Sequence, residues 1–210
     1  MKLKVCGLKQ EHNIAELMQM QIDYMGFIFY KKSPRFAEEL LSFDFVRTIP
    51  KHIKIVGVFV NESSYSIFNH VAHYNLDMVQ LHGNESPELC AELKPYVKVT
   101  KTFQITDDFD FTQLANYLSV VDHFLFDSSS INYGGSGKIF NWKLLELYNY
   151  KTTFFLSGGI SEDHIREIKL LNLPQLFAID INSKFETKPG LKNTEQIKKF
   201  ILNLNYYDNK

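Results

Sequence analysis

Short runs of apolar, β-branched and aromatic residues recur along the chain near residues 3–6, 25–29, 53–60, 77–82, 97–103, 123–127, 153–157 and 177–182. Their spacing of about 20–30 residues is that of one strand–helix unit. Most are almost continuously apolar, as parallel strands covered on both faces must be. Between them the period becomes helical. Ile14, Leu17, Met18 and Ile22 fall at i, i+3, i+4 and i+8, and Ile197, Phe200, Ile201 and Leu204 repeat the pattern. Asn193 with Gln196 three residues on is a capping-box arrangement ahead of that last segment. Ser86-Pro87 reads as a cap followed by Pro at the first helical position, and Ser161 with Glu162 and Asp163 puts a cap and two acids at another helix start. Eight alternations predict an α/β fold, a single (β/α)8 or TIM barrel, as one domain over residues 1–210. The open doubly wound sheet would want G-x-G-x-x-G after its first strand, where only Cys6-Gly7-Leu8 follows.

Period two within the strands then sorts their faces. Leu3 and Val5 oppose Lys4 and Cys6; Val79 and Leu81 oppose Gln80 and His82; Phe124 and Phe126 oppose Leu125 and Asp127. Phe177, Ile179 and Ile181 oppose Ala178, Asp180 and Asn182. In a barrel the apolar faces meet the helices and the other faces fill the interior. Lys4, Cys6, Gln80, His82, Asp127 and Asp180 are therefore expected inside, where charge is costly unless paired or used. Strand eight closes against strand one, so Asp180 is the leading partner for Lys4 and Asp127 the alternative. A cation there favours the thiolate of Cys6. Cys6, His82, Asp127 and Asn182 sit at the C-terminal strand ends, the catalytic face of barrel enzymes.

Glycines mark the same ends. Gly158 and Gly159 follow strand seven and precede the Ser161 helix start, a place where this fold cradles phosphate. Gly134, Gly135 and Gly137, in the Gly134-Gly135-Ser136-Gly137-Lys138 stretch, read as a lid after strand six rather than a nucleotide loop. Ile139 follows the Lys and Asn132 stands where a P-loop would have its first Gly. His70 and His73 have a metal-compatible spacing on an outer helix, without an adjacent third ligand. Cys90 reads as a small packing residue and Trp142 as a core or loop anchor.

Composition changes this picture mainly by exclusion. Apolar residues make up 45% and charged residues 22%, with a net charge of −1 and a pI near 6.7. That argues against a nucleic-acid binder held by a basic field and against a basic membrane-surface protein. Two cysteines make no disulfide framework, and no C-x-x-C exists. Charge interrupts the first residues too early for a signal peptide, and apolar runs such as 25–30 and 55–60 are far too short to span a bilayer. A cytoplasmic protein with free thiols is expected.

The chain also carries Lys4-Val5-Cys6-Gly7, then Gly26-Phe27-Ile28-Phe29-Tyr30 leading into Lys32-Ser33-Pro34-Arg35. Val56-Gly57-Val58-Phe59-Val60 and Val79-Gln80-Leu81-His82-Gly83-Asn84-Glu85 follow. Later come Phe126-Asp127, Tyr133 before the glycine stretch, Phe140-Asn141-Trp142, Ser157-Gly158-Gly159 and Pro189-Gly190. In this order and spacing the sequence resembles the phosphoribosylanthranilate isomerases of tryptophan biosynthesis over nearly its whole length. The resemblance implies an Amadori rearrangement of N-(5-phosphoribosyl)anthranilate to 1-(2-carboxyphenylamino)-1-deoxyribulose 5-phosphate, without metal or organic cofactor. It implies a small-molecule substrate, no nucleic-acid or membrane partner, and a monomer or homodimer. By that analogy Asp127 protonates the ring oxygen and Cys6 removes the C2 proton. Arg35 holds the anthranilate carboxylate, His82 and Asp180 line the substrate site, and Gly158, Gly159, Asn182 and Ser183 hold the phosphate. Two departures stand out: Lys31 where the family usually has Pro, and Lys184-Phe185 where it usually has Gly-Val beside the phosphate. Two alternatives share these features. Another phosphosugar barrel enzyme, such as an aldose–ketose isomerase or an indole-glycerol-phosphate synthase, fits the same fold and cradle; the synthase type of reaction would want a catalytic lysine and glutamate at the mouth, for which strand five offers Lys101. A phosphate-binding barrel without catalysis would not need both Cys6 and Asp127.

Overall fold

The computed structural model describes residues 1–128 and 140–208. Eight parallel strands close into a barrel in chain order. They are β1 (Lys2–Cys6), β2 (Tyr24–Ile28), β3 (Lys54–Phe59), β4 (Met78–Leu81), β5 (Lys98–Ile105), β6 (His123–Ser128), β7 (Thr153–Leu156) and β8 (Leu176–Ile181). Each falls on one of the apolar runs. Closure pairs β1 with β8, setting Lys4 beside Asp180 and Val5 beside Ile181.

The alternation of faces holds through most of the barrel. Val5, Phe27, Val79, Leu81, Phe124, Phe126, Phe154, Leu156, Ile179 and Ile181 are buried in the layer shared with the helices. Tyr24, Val56, Met78, Leu125, Phe155 and Ala178 form a separate apolar cluster in the interior. Burying each such large side chain stabilises the fold by roughly 1.5–3 kcal/mol, so a slip of one residue in register is strongly disfavoured. Phe177 is the exception. The β7–β8 register shifts between Phe154 and Phe155, and Phe177 leaves the outer face expected of it. It stacks on His123 at 4.4 Å, meets Tyr24 and Phe155 edge-on, and has the Lys2 ammonium 4.7 Å above its ring. This aromatic plug lies at the N-terminal end of the barrel, where burial drives the His123 pKa down to about 4. At the same end, Asp23, Asp77 and Asp122 each accept a backbone N–H from the preceding strand, from Leu3, Ile55 and Val99. That face is built for stability.

The helical layer is less regular than the sequence period implies. Its α-helices are α1 (Glu11–Leu17), α2 (Phe43–Val46), α3 (Ser64–Tyr74), α4 (Pro87–Leu93), α5 (Ile165–Leu170) and α6 (Thr194–Asp208). After β5 and β6 the connections are 3₁₀ turns, Phe111–Tyr117 and Trp142–Leu147. Their buried anchors, Phe111 with Leu114 and Trp142 with Leu145, are three residues apart, which eclipses them in a 3₁₀ turn. Asn193 caps α6 through Gln196 N, and Ser161 shares a capping box with His164. Among the described residues no helix is long and apolar enough to cross a membrane. One unforeseen element follows β8: an antiparallel hairpin of β9 (Glu186–Lys188) and β10 (Leu191–Lys192). It turns through Pro189-Gly190, where Gly190 has φ 81°.

Candidate active site

The C-terminal mouth of the barrel collects the polar residues that period two aims inward. Lys4 is 1% exposed, and its ammonium lies 3.0 Å from Asp180 Oδ1. Burial alone would push that ammonium down; Asp180 and a hydrogen bond to Cys6 outweigh it and hold the pKa above its ordinary value. Asp180 accepts from Ser157 Oγ through its other oxygen, at 3.3 Å. Two residues on, at the end of β1, sits Cys6, a free thiol whose pKa burial raises, against the pull of Lys4 and, more weakly, Lys192. The cation expected beside the thiol is there, but desolvation outweighs it. Gly26 stands beside Cys6 in β2, and a Cβ there would come within 2.7 Å of Sγ.

Across the mouth, Asp127 Oδ1 accepts from the N–H of Ser128 at 2.8 Å, and Oδ2 lies 3.4 Å from His82 Nε2. The other ring nitrogen of His82 meets the Gln80 side-chain nitrogen at 2.9 Å. With the amide donating, His82 carries its proton on Nε2, facing the carboxylate. Cys6, Gln80, His82, Asp127, Ser157 and Asp180 thus line one cavity of about 110 Å³. Beside it is a smaller cavity of about 50 Å³, lined by Gly158, Gly159, Ser183 and Lys184. Arg35, Asp127, Asp180 and Asn182 border both. Gly158 and Gly159 have φ of 91° and 67°, a left-handed turn that favours glycine. A larger groove of about 650 Å³ lies beside α2 and α3 at the N-terminal ends of β3 and β4, away from all of these residues.

Two residues not anticipated from sequence complete the mouth, both from the hairpin after β8. Glu186 takes a two-pronged contact from Arg35, with Nε at 3.0 Å and Nη2 at 2.7 Å. Its Oε1 also accepts from Lys192 Nζ at 2.8 Å and from Gly190 N at 3.0 Å. Burial would raise the Glu186 pKa, but these partners bring it below the ordinary carboxylate value. Lys192 also donates to Asn182 Oδ1 at 2.7 Å, and burial lowers its pKa to about 8 despite Glu186. The only sequence signal for this pair was the Pro189-Gly190 turn, which fixes a reversal but not what it carries. Gln80 faces inward as its place in β4 predicts, and Ser157, next to the glycines, joins it in the cavity lining.

Other candidates fall elsewhere. Lys101 is on the outer face of β5, not in the mouth. It pairs with buried Glu85 at 3.1 Å and donates to the carbonyls of Gly83 and Thr102, so it cannot serve as a mouth lysine for a synthase-type reaction. His70 packs on Phe29 and Phe59, and His73 on Phe43. Cys90 is fully buried, its pKa raised to about 11 by desolvation, and Trp142 is a core anchor. Phe185 packs against Phe200 at 5.0 Å in the core and so points away from the cavity beside Gly158 and Gly159, whereas Lys184 is exposed at the rim of that cavity. The glycine stretch with Gly134, Gly135 and Gly137 lies outside the described residues.

A family model for N-(5'-phosphoribosyl)anthranilate isomerase matches residues 3–203. The N-(5'-phosphoribosyl)anthranilate isomerase of Parabacteroides distasonis is 43% identical over 206 residues, covering 96% of this chain and 92% of that one. Among solved structures, monomers generated from the dimeric isomerase of Thermotoga maritima superpose with a TM-score of 0.79 at 29% identity, covering 97% and 98% of the two chains. A phosphoribosylanthranilate isomerase in complex with reduced 1-(o-carboxyphenylamino)-1-deoxyribulose 5-phosphate gives 0.81 at 29% identity, covering 98% of each.

Proposed function

This chain belongs to the N-(5'-phosphoribosyl)anthranilate isomerase family, and from that premise we propose that its mouth isomerises phosphoribosylanthranilate with Cys6 as base and Asp127 as acid. The observation that carries the reading is the placing of both groups around one small cavity, each with its own electrostatic partner. Asp127 gives a proton to the ring oxygen as the C1–O bond breaks, and the nitrogen lone pair forms the C1=N iminium. His82, whose Nε2 lies 3.4 Å from the same carboxyl group, donates toward it and stabilises the carboxylate left by the transfer. The Cys6 thiolate takes the C2 proton, and the C–H electrons form the C1=C2 bond of the enolamine. Loss of the O2 proton and protonation at C1 then give the ketone. An acid and a base on opposite sides of one sugar, each within hydrogen-bond reach, are what this needs.

Arg35 meets the anthranilate carboxylate, and the phosphate rests on Gly158, Gly159, Asn182 and Ser183, with Lys192 donating to Asn182 Oδ1. We infer a cytoplasmic enzyme whose partner is this substrate, working as a monomer or homodimer; the net charge is only −1. The test is turnover of freshly generated phosphoribosylanthranilate without added metal or cofactor. Isomerisation supports the reading; tight binding of the product analogue without turnover would favour the non-catalytic barrel.

A further inference from the structure

We propose that Glu186 is a positioning residue for recognition of the aromatic carboxylate: it occupies one edge of the Arg35 guanidinium and presents the other edge to the substrate. The inference rests on the reading of Arg35 given above. A guanidinium has five donors in one plane, and a carboxylate can take two at a time along an edge. Glu186 takes the Nε–Nη2 edge. Among the described residues Nη1 makes no hydrogen bond, and Arg35 borders both the catalytic cavity and the phosphate cavity. The substrate carboxylate is therefore left the Nη1–Nη2 edge, in the same plane, which fixes the tilt of the aromatic ring relative to C1 and C2.

Glu186 is itself held from three sides. Gly190 N and Lys192 Nζ bind its Oε1. Lys192 is anchored in turn through Asn182 Oδ1, and its backbone is clasped in both directions by Asn13 of α1, at 3.0 and 2.7 Å. The aliphatic part of Arg35 is confined as well, because a Cβ on Gly7 would come within 2.7 Å of its Cδ. A pair serving only stability would not need this much scaffolding at the rim of a ligand cavity. Charge fits the same purpose. Arg35, Lys192 and Glu186 sum to +1 when all are ionised, and one substrate carboxylate neutralises the set.

The test compares two ligands: the reduced product analogue, and its counterpart whose phenyl ring lacks the carboxylate. Binding and turnover are measured on folded wild type, Glu186→Gln, Glu186→Asp and Arg35→Lys. Glu186→Gln is expected to weaken the carboxylate-bearing analogue at least about tenfold, a single charge-assisted contact's worth, with the counterpart within about twofold. The loss in turnover falls mainly in KM. Glu186→Asp, which keeps the charge for Lys192 but withdraws from Arg35, gives the same selective loss, smaller, and carries the test should the Gln variant not fold. Arg35→Lys removes the preference between the two analogues. An equal loss for both analogues in the Glu186 variants, or none for either, overturns the proposal while leaving the isomerase reading intact. A wild-type protein that does not turn over phosphoribosylanthranilate overturns that reading instead.

Discussion

Replacing Lys4 by Met should separate the two roles of the buried cation. Lys4 and Asp180 are 3.0 Å apart and almost wholly excluded from water. Methionine fills nearly the same volume but leaves the Asp180 carboxylate without its counter-ion, and removing one member of a buried pair costs roughly 3–5 kcal/mol. For a protein with about 5–15 kcal/mol of stability the variant should fold, with a clearly lower urea midpoint. The second effect is on Cys6. Its thiol already titrates above its ordinary value because burial opposes ionisation, with Lys4 the largest opposing influence. The rate should therefore rise with pH as the thiolate forms, and the rise should move to higher pH once Lys4 is gone. A charged hydrogen bond of about 1.5–3 kcal/mol corresponds to roughly 10- to 150-fold less thiolate at a fixed pH below the transition. The assays are urea unfolding, the pH profile of kcat/KM, and thiolate absorbance read as a difference from Cys6→Ser. Cys90, with a pKa near 11, stays silent until strongly alkaline pH. Lys4→Met with Asp180→Leu should regain stability by removing the orphaned charge, without regaining activity. An unshifted pH profile together with an unchanged urea midpoint would refute the argument.

The remaining expectations are more direct. Cys6→Ser should fold normally and lose activity, since a hydroxyl is far harder to ionise; Asp127→Asn should lose at least about 10²–10⁴-fold in kcat, with analogue binding retained in both, as measured by titration. Near-wild-type turnover in either would make that residue a bystander. Gly26→Ala places a methyl within 2.7 Å of Cys6 Sγ and 3.1 Å of Cys6 Cα, so kcat should fall sharply while β2 remains intact; a crystal structure showing Cys6 undisplaced at full activity would contradict it. Sulfate or phosphate bound in crystals should lie at Gly158–Gly159 and residues 182–185, and binding elsewhere would count against the assigned cradle.

How far the sequence could be read depended on which physical signal each residue carries. The barrel was legible because eight strands buried on both faces must be apolar, and because closure brings the first strand against the last. Lys4 and Asp180 were legible as a pair because two charges forced inside a barrel at adjoining strands have few other ways to be satisfied. Cys6, His82 and Asp127 stood out as polar residues at strand ends. Phe177 was misplaced because period-two reasoning assumes an unbroken strand, and the register shift against β7 turns its ring to the lower mouth. The 3₁₀ connections were hidden for a related reason: anchors at i and i+3 satisfy both helical types. Glu186 and Lys192 were illegible for a different cause. They lie on a seven-residue hairpin with no run long enough to show a period, and each looks like a surface charge. Their burial arises only when the hairpin folds back over the mouth and meets Arg35, about 150 residues earlier in the chain. Strand ends announce themselves through the cost of burying charge at a predictable place. A returning loop brings its charges to a place set by tertiary closure alone, and the partner its carboxylate meets there, Arg35, is the residue we assign to the substrate carboxylate.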